Sequence, residues 1–127
     1  MSSAAAKAKA KAPALTDQEI QQTYIRLQNE LQALARKIGE LESEADEHSL
    51  VLVTLDEALA EDPDRKCFRL IGGVLVERTV KEVNPALKTN RDGILKVIAT
   101  LAEQYKTKEK DQEAFKREYS IRPVPVQ

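Results

Sequence analysis

Apolar residues return in alternating steps of four and three over most of this chain. One series runs Ile20, Tyr24, Leu27, Leu31, Leu34, Ile38, Leu41, Ala45, His48, Leu52, Leu55 and Leu59. A second runs Val80, Asn84, Leu87, Arg91, Ile94, Ile98, Leu101, Tyr105, Lys108, Gln112, Phe115 and Tyr119. Sustained a/d spacing of this kind marks the seam of a coiled coil rather than the face of a globular helix. Folding the chain at its middle matches the series member by member: Leu59 with Val80, Leu52 with Leu87, Ala45 with Ile94, Leu41 with Ile98, Ile38 with Leu101. The pattern predicts a mainly α fold, a long antiparallel two-helix coiled coil closed by one β-hairpin.

Local signals set the boundaries. Thr16 or Asp17 can cap the first helix, with Glu19 completing a capping box after Thr16. The helix is expected over 16–60, roughly 65 Å at 1.5 Å per residue. Gly39 inside it is read as a weak point costing about 1 kcal/mol relative to alanine, or as a place of close approach by another chain. Glu61-Asp62-Pro63-Asp64 ends the helix, because proline lacks the N–H and pushes Asp62 from helical angles. Two β-type runs joined by Gly72-Gly73 predict a hairpin over 66–78, since glycine accepts the positive φ of a tight turn. Thr79 and Glu82 form a second capping box, opening a helix over 80–119. Pro85 lies just inside it and predicts a kink or a slightly later start. Residues 1–14, rich in Lys and Ala, read as a disordered solvated tail with a weak electrostatic contact as the alternative, and 123–127 as an extended tail.

The hairpin argues against a chain that works alone. A two-residue turn sets Ile71 opposite Val74, Leu70 opposite Leu75, Arg69 opposite Val76 and Phe68 opposite Glu77. Cys67, Ile71, Val74 and Val76 then share one face, while Phe68, Leu70 and Leu75 share the other. Both faces are apolar, and two helices can cover at most one. An isolated two-stranded ribbon is marginal in water and offers two open edges. An oligomer that shares a sheet or barrel of such hairpins resolves both problems.

Within the seam, His48 meets Arg91 in a polar layer. The reading favoured is a register device, with a pH switch or metal ligand as the alternative. A metal site would need further converging ligands, and no such spacing is present. Toward the open end the seam decays: Leu34 meets Tyr105, but Leu31 faces Lys108 and Leu27 faces Gln112. Beyond that zone Ile20, Tyr24, Phe115, Tyr119 and Ile121 gather as either a sticky tip or a final closing layer.

Composition narrows the function. The chain has 127 residues, 32% charged and only 4% aromatic, with 20 Lys plus Arg against 21 Asp plus Glu. A balance of −1 does not suit a nucleic-acid binder, and the short lysine run is cut off by Pro13 before the heptads begin. One cysteine, Cys67, excludes an intrachain disulfide and fits a reducing compartment. No run is long and apolar enough to span a membrane, so the cytoplasm is the default location. A single His, a single Cys and no phosphate-cradling GxxxxGK sequence leave no catalytic residues, no metal site and no cofactor to propose. The acidic runs 42–47 and 61–64 lack the pattern of a calcium loop.

The stretch Glu47-His48-Ser49-Leu50-Val51, followed by 65–83 around Phe68-Arg69-Leu70-Ile71-Gly72-Gly73-Val74, resembles β-class prefoldin subunits of eukaryotes. The resemblance covers about residues 16–122 and leaves the Lys/Ala leader unexplained. It implies a heterohexamer of two α-class and four β-class subunits, with hairpins forming a β-barrel platform and coiled-coil arms hanging from it. The arm tips would hold unfolded actin and tubulin without nucleotide and pass them to the cytosolic chaperonin. Assembly would fall to Cys67, Phe68, Leu70, Ile71, Gly72, Gly73, Val74, Leu75 and Val76. Client contacts would fall to Ile20, Tyr24, Leu27, Phe115, Tyr119 and Ile121, and register to His48 and Arg91. The competing reading is a structural coiled-coil adaptor in a larger assembly.

Overall fold

A computed structural model of the chain describes residues 15–121. The expected leader over 1–14 and the tail over 123–127 lie outside the described residues. Four elements follow in order: α1 (Asp17–Glu61), β1 (Lys66–Ile71), β2 (Val74–Thr79) and α2 (Val80–Glu118). The helices pack antiparallel along their length, and the strands form a two-stranded ribbon at the turn.

Each boundary has a local cause. Thr16, in extended geometry, accepts the Glu19 amide at 3.1 Å and donates its hydroxyl to the Glu19 carboxylate at 3.2 Å. At the far end Asp62 sits at φ −152°, ψ 85°, as a residue before proline is pushed to do. Gly72 and Gly73 take φ values of 56° and 82°, the pair a type I′ turn requires. The ladder pairs Ile71 with Val74, Leu70 with Leu75, Arg69 with Val76 and Phe68 with Glu77, the register the two-residue turn predicts.

α2 begins at Val80, where the capping box at Thr79 predicts it, and carries Pro85 inside it; of the kink or later start that this proline predicts, the later start does not occur. The reason is the anchoring of the first turn. Val80 N–H donates to the Arg65 carbonyl at 3.0 Å and Lys81 N–H to the Pro63 carbonyl at 3.1 Å. Two of the amides that a helix start leaves orphaned are thereby satisfied by the loop after α1. Glu82 reaches back to Thr79, 2.9 Å from its hydroxyl and 3.4 Å from its amide. Val80 and Asn84, each 2% exposed, clamp the same turn against α1.

The seam follows the heptads. Every position of both series is buried or half-buried, with Leu31, Ala45, Leu52 and Val80 the fully buried apolar members. The core is one layer thick because, among the described residues, the two helices have no third element behind them. Leu50 and Val53, off the seam, accordingly stay 71% and 60% exposed. A β-carbon built at Gly39 meets no described atom within 4 Å beyond its own helical turns, so no packing among the described residues requires glycine there.

Candidate functional site

Two apolar surfaces lie at opposite ends of the rod. At the ribbon end the register sets Cys67, Arg69, Ile71, Val74, Val76 and Arg78 on one face and Lys66, Phe68, Leu70, Leu75 and Glu77 on the other. Cys67 and Val76 are half-buried, whereas Ile71 and Val74 are exposed. Phe68, Leu70 and Leu75 are 67%, 67% and 69% exposed, a bare apolar triad on the second face. Covering such side chains is worth about 1.5–3 kcal/mol each before entropy is counted.

At the opposite end, a groove of about 490 Å³ is lined by Asp17, Ile20, Gln21, Tyr24, Ile25, Tyr119 and Ile121. The end of α2 shapes it. Ser120 adopts φ 51°, its amide donates to the Arg117 carbonyl at 3.4 Å, and the Ile121 amide donates to the Lys116 carbonyl at 2.9 Å. This is a Schellman cap with serine where glycine is usual. It turns the chain so that Ile121 joins the start of α1.

Of the six residues expected at this end, Ile20, Tyr24, Tyr119 and Ile121 line the groove, while Leu27 and Phe115 do not. Leu27 is half-buried in the seam further in. Phe115 lies one turn before Tyr119, with ring centroids 4.8 Å apart at 48°, and supports that ring from behind. Ile25, 49% exposed, also belongs to the groove although it lies off the heptad. Its signal was an isoleucine directly beside Tyr24, too close for both to serve one seam.

The expected polar layer at His48 and Arg91 forms no bond across the seam. Nδ1 of His48 lies 2.8 Å from the Glu44 carbonyl of its own helix, and a carbonyl can only accept, so Nδ1 is the donor. Arg91 pairs with Asp92, its chain neighbour, at 3.3 Å. The polar bonds that do cross lie elsewhere. Asn84 donates to Asp56 at 2.8 Å near the ribbon, Lys108 to Glu30 at 2.6 Å, and Gln112 to Gln28 at 2.6 Å toward the groove. Each falls within one residue of the pairing read from the heptads.

These contacts also revise the loosening expected at Lys108 and Gln112. Leu31 and Gln112 are 5% and 7% exposed there, so the seam is closed by hydrogen bonds where apolar pairs run out. The carboxylates respond. The hydrogen bond from Lys108, opposed by partial desolvation and aided by Arg26, holds Glu30 below its ordinary value. The bond from Asn84, with help from Lys88, does the same for Asp56.

No group of three or more His, Cys, Asp or Glu among the described residues is placed to hold a metal ion. Among the same residues no helix is long and apolar enough to cross a membrane. The family model described as "Prefoldin subunit" matches residues 18–122. The chain belongs to the prefoldin subunit family. Among curated relatives, Prefoldin subunit 2 of Homo sapiens is 47% identical over 109 residues, covering 86% of this chain and 69% of that protein. The Arabidopsis thaliana Prefoldin subunit 2 is 42% identical, covering 84% of this chain and 70% of its own. The Probable prefoldin subunit 2 of Schizosaccharomyces pombe is 45% identical, covering 84% and 92% respectively. Two long helices with a single hairpin are the architecture of the β class of prefoldin subunits. Family membership makes the chain a prefoldin co-chaperone subunit and implies assembly with other prefoldin subunits.

Proposed function

We propose that the chain is one arm of a heterohexameric prefoldin of two α-class and four β-class subunits, acting in the cytoplasm. The ribbon from Cys67 to Val76 joins it to sister subunits, and the groove at the far end holds unfolded polypeptides of the actin and tubulin kind. Capture is passive, by apolar contact without nucleotide, and the client is then handed to the cytosolic chaperonin. The observation that carries this reading is the groove of Ile20, Tyr24, Ile25, Tyr119 and Ile121, an apolar surface at the end remote from the ribbon. Exposed apolar clusters on soluble rods are interaction surfaces. Their distance from the ribbon, most of a helix of about 67 Å, separates holding from assembly.

The test is a paired measurement on Ile20→Ser with Ile121→Ser. Native mass of the mixture with α- and β-class subunits is expected to show an unaltered hexamer, while suppression of actin aggregation falls several-fold. Undiminished suppression in an intact hexamer would leave this arm as a structural adaptor, with clients held by its sisters.

A further inference from the structure

The groove at the far end is lined by Asp17, Ile20, Gln21, Tyr24 and Ile25 of α1, with Tyr119 and Ile121 just beyond α2. Positions three and four apart stack along one helix face, so Asp17 falls in line with an otherwise apolar and aromatic surface. No lysine or arginine stands among the described lining residues.

The cations of this end are placed elsewhere. Arg26 and Lys108 both bond Glu30, at 2.9 Å and 2.6 Å. Glu30 lies about 20 Å along α1 from Asp17, roughly two screening lengths at about 0.1 M salt. Lys116 pairs with Glu113 at 3.4 Å, and Arg117 lines a separate depression with Glu109, Lys110 and Glu113. Of the early carboxylates, Glu19 is taken by the Thr16 hydroxyl at 3.2 Å. Among the described residues no hydrogen bond or ion pair engages the Asp17 carboxylate.

The helix dipoles do not reverse this sign. The start of α1 contributes about half a positive charge and the end of α2 about half a negative one, and antiparallel packing brings the two together. What remains is the side chains. α1 holds 11 Asp and Glu against 3 Lys and Arg, whereas α2 holds 7 against 9. Most of the groove lining belongs to α1, so a bound segment lies mainly against the acidic helix. Tyr24 and Tyr119 act in the same direction, because the faces of their rings attract ammonium and guanidinium groups.

Resting on the client-holding role proposed above, we infer that this groove selects its clients by charge. It takes apolar segments of unfolded polypeptides that carry lysine or arginine beside their aliphatic residues, and Asp17 sets the preference. The aliphatic side chains pack on Ile20, Ile25 and Ile121, while the cation reaches Asp17 and a tyrosine ring. Segments flanked by Asp or Glu meet the same field as repulsion.

The test uses the hexamer formed with α- and β-class subunits. Two peptides share an aliphatic core with a photoreactive leucine and differ only in Lys or Glu flanks. Each labels the chain it touches, so the concentration that half-labels this chain, read by mass, reports this arm alone. The Lys-flanked peptide is expected to need about threefold less than the Glu-flanked one, the scale of a partly exposed ion pair. Added salt should shrink that ratio. Asp17→Asn is expected to bring the two peptides level and Asp17→Glu to keep the ratio, which separates charge from any loosening of the first turn of α1. Peptides already level in the unaltered hexamer, or a ratio that Asp17→Asn leaves unchanged, would overturn the charge assignment while leaving the holding role standing. Loss of the ratio in Asp17→Glu would overturn it in the same way. If Ile20→Ser with Ile121→Ser leaves labelling undiminished, the peptides are held elsewhere and both readings fall. No labelling of this chain by either peptide in an intact hexamer would also overturn both.

Discussion

The ribbon end and the groove end of this rod solve opposite problems with the same few residue types. At the ribbon end, backbone geometry is tied down first. The Arg65 and Pro63 carbonyls hold the start of α2, Asn84 reaches across to Asp56, and Val80 is sealed between the helices. On that fixed base the ribbon presents Phe68, Leu70 and Leu75, about two-thirds exposed among the described residues. At the groove end the last crossing bonds are long polar side chains, Lys108 to Glu30 and Gln112 to Gln28. Beyond them lie aromatic and aliphatic groups and a strained serine cap. Positive φ costs a non-glycine residue about 1–2 kcal/mol. Ser120 bears that cost to bring Ile121 onto α1. A surface that must fit one partner needs a rigid frame. A surface that takes many partners needs apolar area more than geometry.

The hardest strike at that contrast is the double substitution Phe68→Ser with Leu70→Ser. Both side chains are already two-thirds exposed in the single chain, so its own stability is expected to change by no more than about 0.5 kcal/mol. Assembly with other prefoldin subunits is expected to be lost, as read by native mass. An intact hexamer from this variant would remove the ribbon from the assembly role.

Most of the fold was readable because its forces are local and periodic. The heptads gave the seam, Thr16 and Thr79 the helix starts, Gly72-Gly73 the turn and thereby the register. Of the two effects that Pro85 predicts, the later start is absent, because the carbonyls of Pro63 and Arg65 that anchor α2 come from a loop that no periodicity describes. His48 and Arg91 show a second limit. They occupy facing seam positions, but each is long or branched enough to find a partner on its own helix, and sequence spacing does not fix rotamers. The residues that bond across instead, Asn84, Lys108 and Gln112, are polar members of the same heptad series, and spacing alone does not distinguish them. The groove was legible as a region. Its membership was not, since Ile25 and Asp17 enter by flank position and Ile121 by a cap that only backbone angles reveal.

Asn84→Ala probes the rigid end at a smaller scale. The bond it loses is to a carboxylate, but Asp56 can turn to water, so a cost of about 1 kcal/mol is expected in denaturant unfolding. A cost of zero would mean that Val80 and the backbone anchors alone fix the frame.

Acid probes both ends at once. Glu30 and Asp56 have native pKa values held below their ordinary ones. The unfolded chain therefore binds protons before the native one does as pH falls. Their contribution is fully present above the ordinary carboxylate range and is lost as pH drops through the lowered native values. Melting temperature is expected to decline across that interval, and Glu30→Gln should flatten part of the decline. An identical pH profile in the variant would show that Lys108 does not hold the seam through charge.

The smallest effect expected is a gain. Glycine within a helix costs roughly 0.5–1 kcal/mol relative to alanine, through the freedom it has in the unfolded chain. A methyl group at Gly39 would meet no described atom within 4 Å beyond the backbone of its own helical turns, so Gly39→Ala should recover most of that amount in the isolated subunit. Gly39 lies between the rigid base and the polar-closed outer seam. If the glycine serves only as a tolerated weak point, the same gain appears in the assembled complex and capture is unchanged. If instead a neighbouring chain lies against it, the subunit melts higher while co-assembly weakens. Thermal unfolding of the subunit beside titration with its partners separates the two, because only the second case moves the measurements in opposite directions.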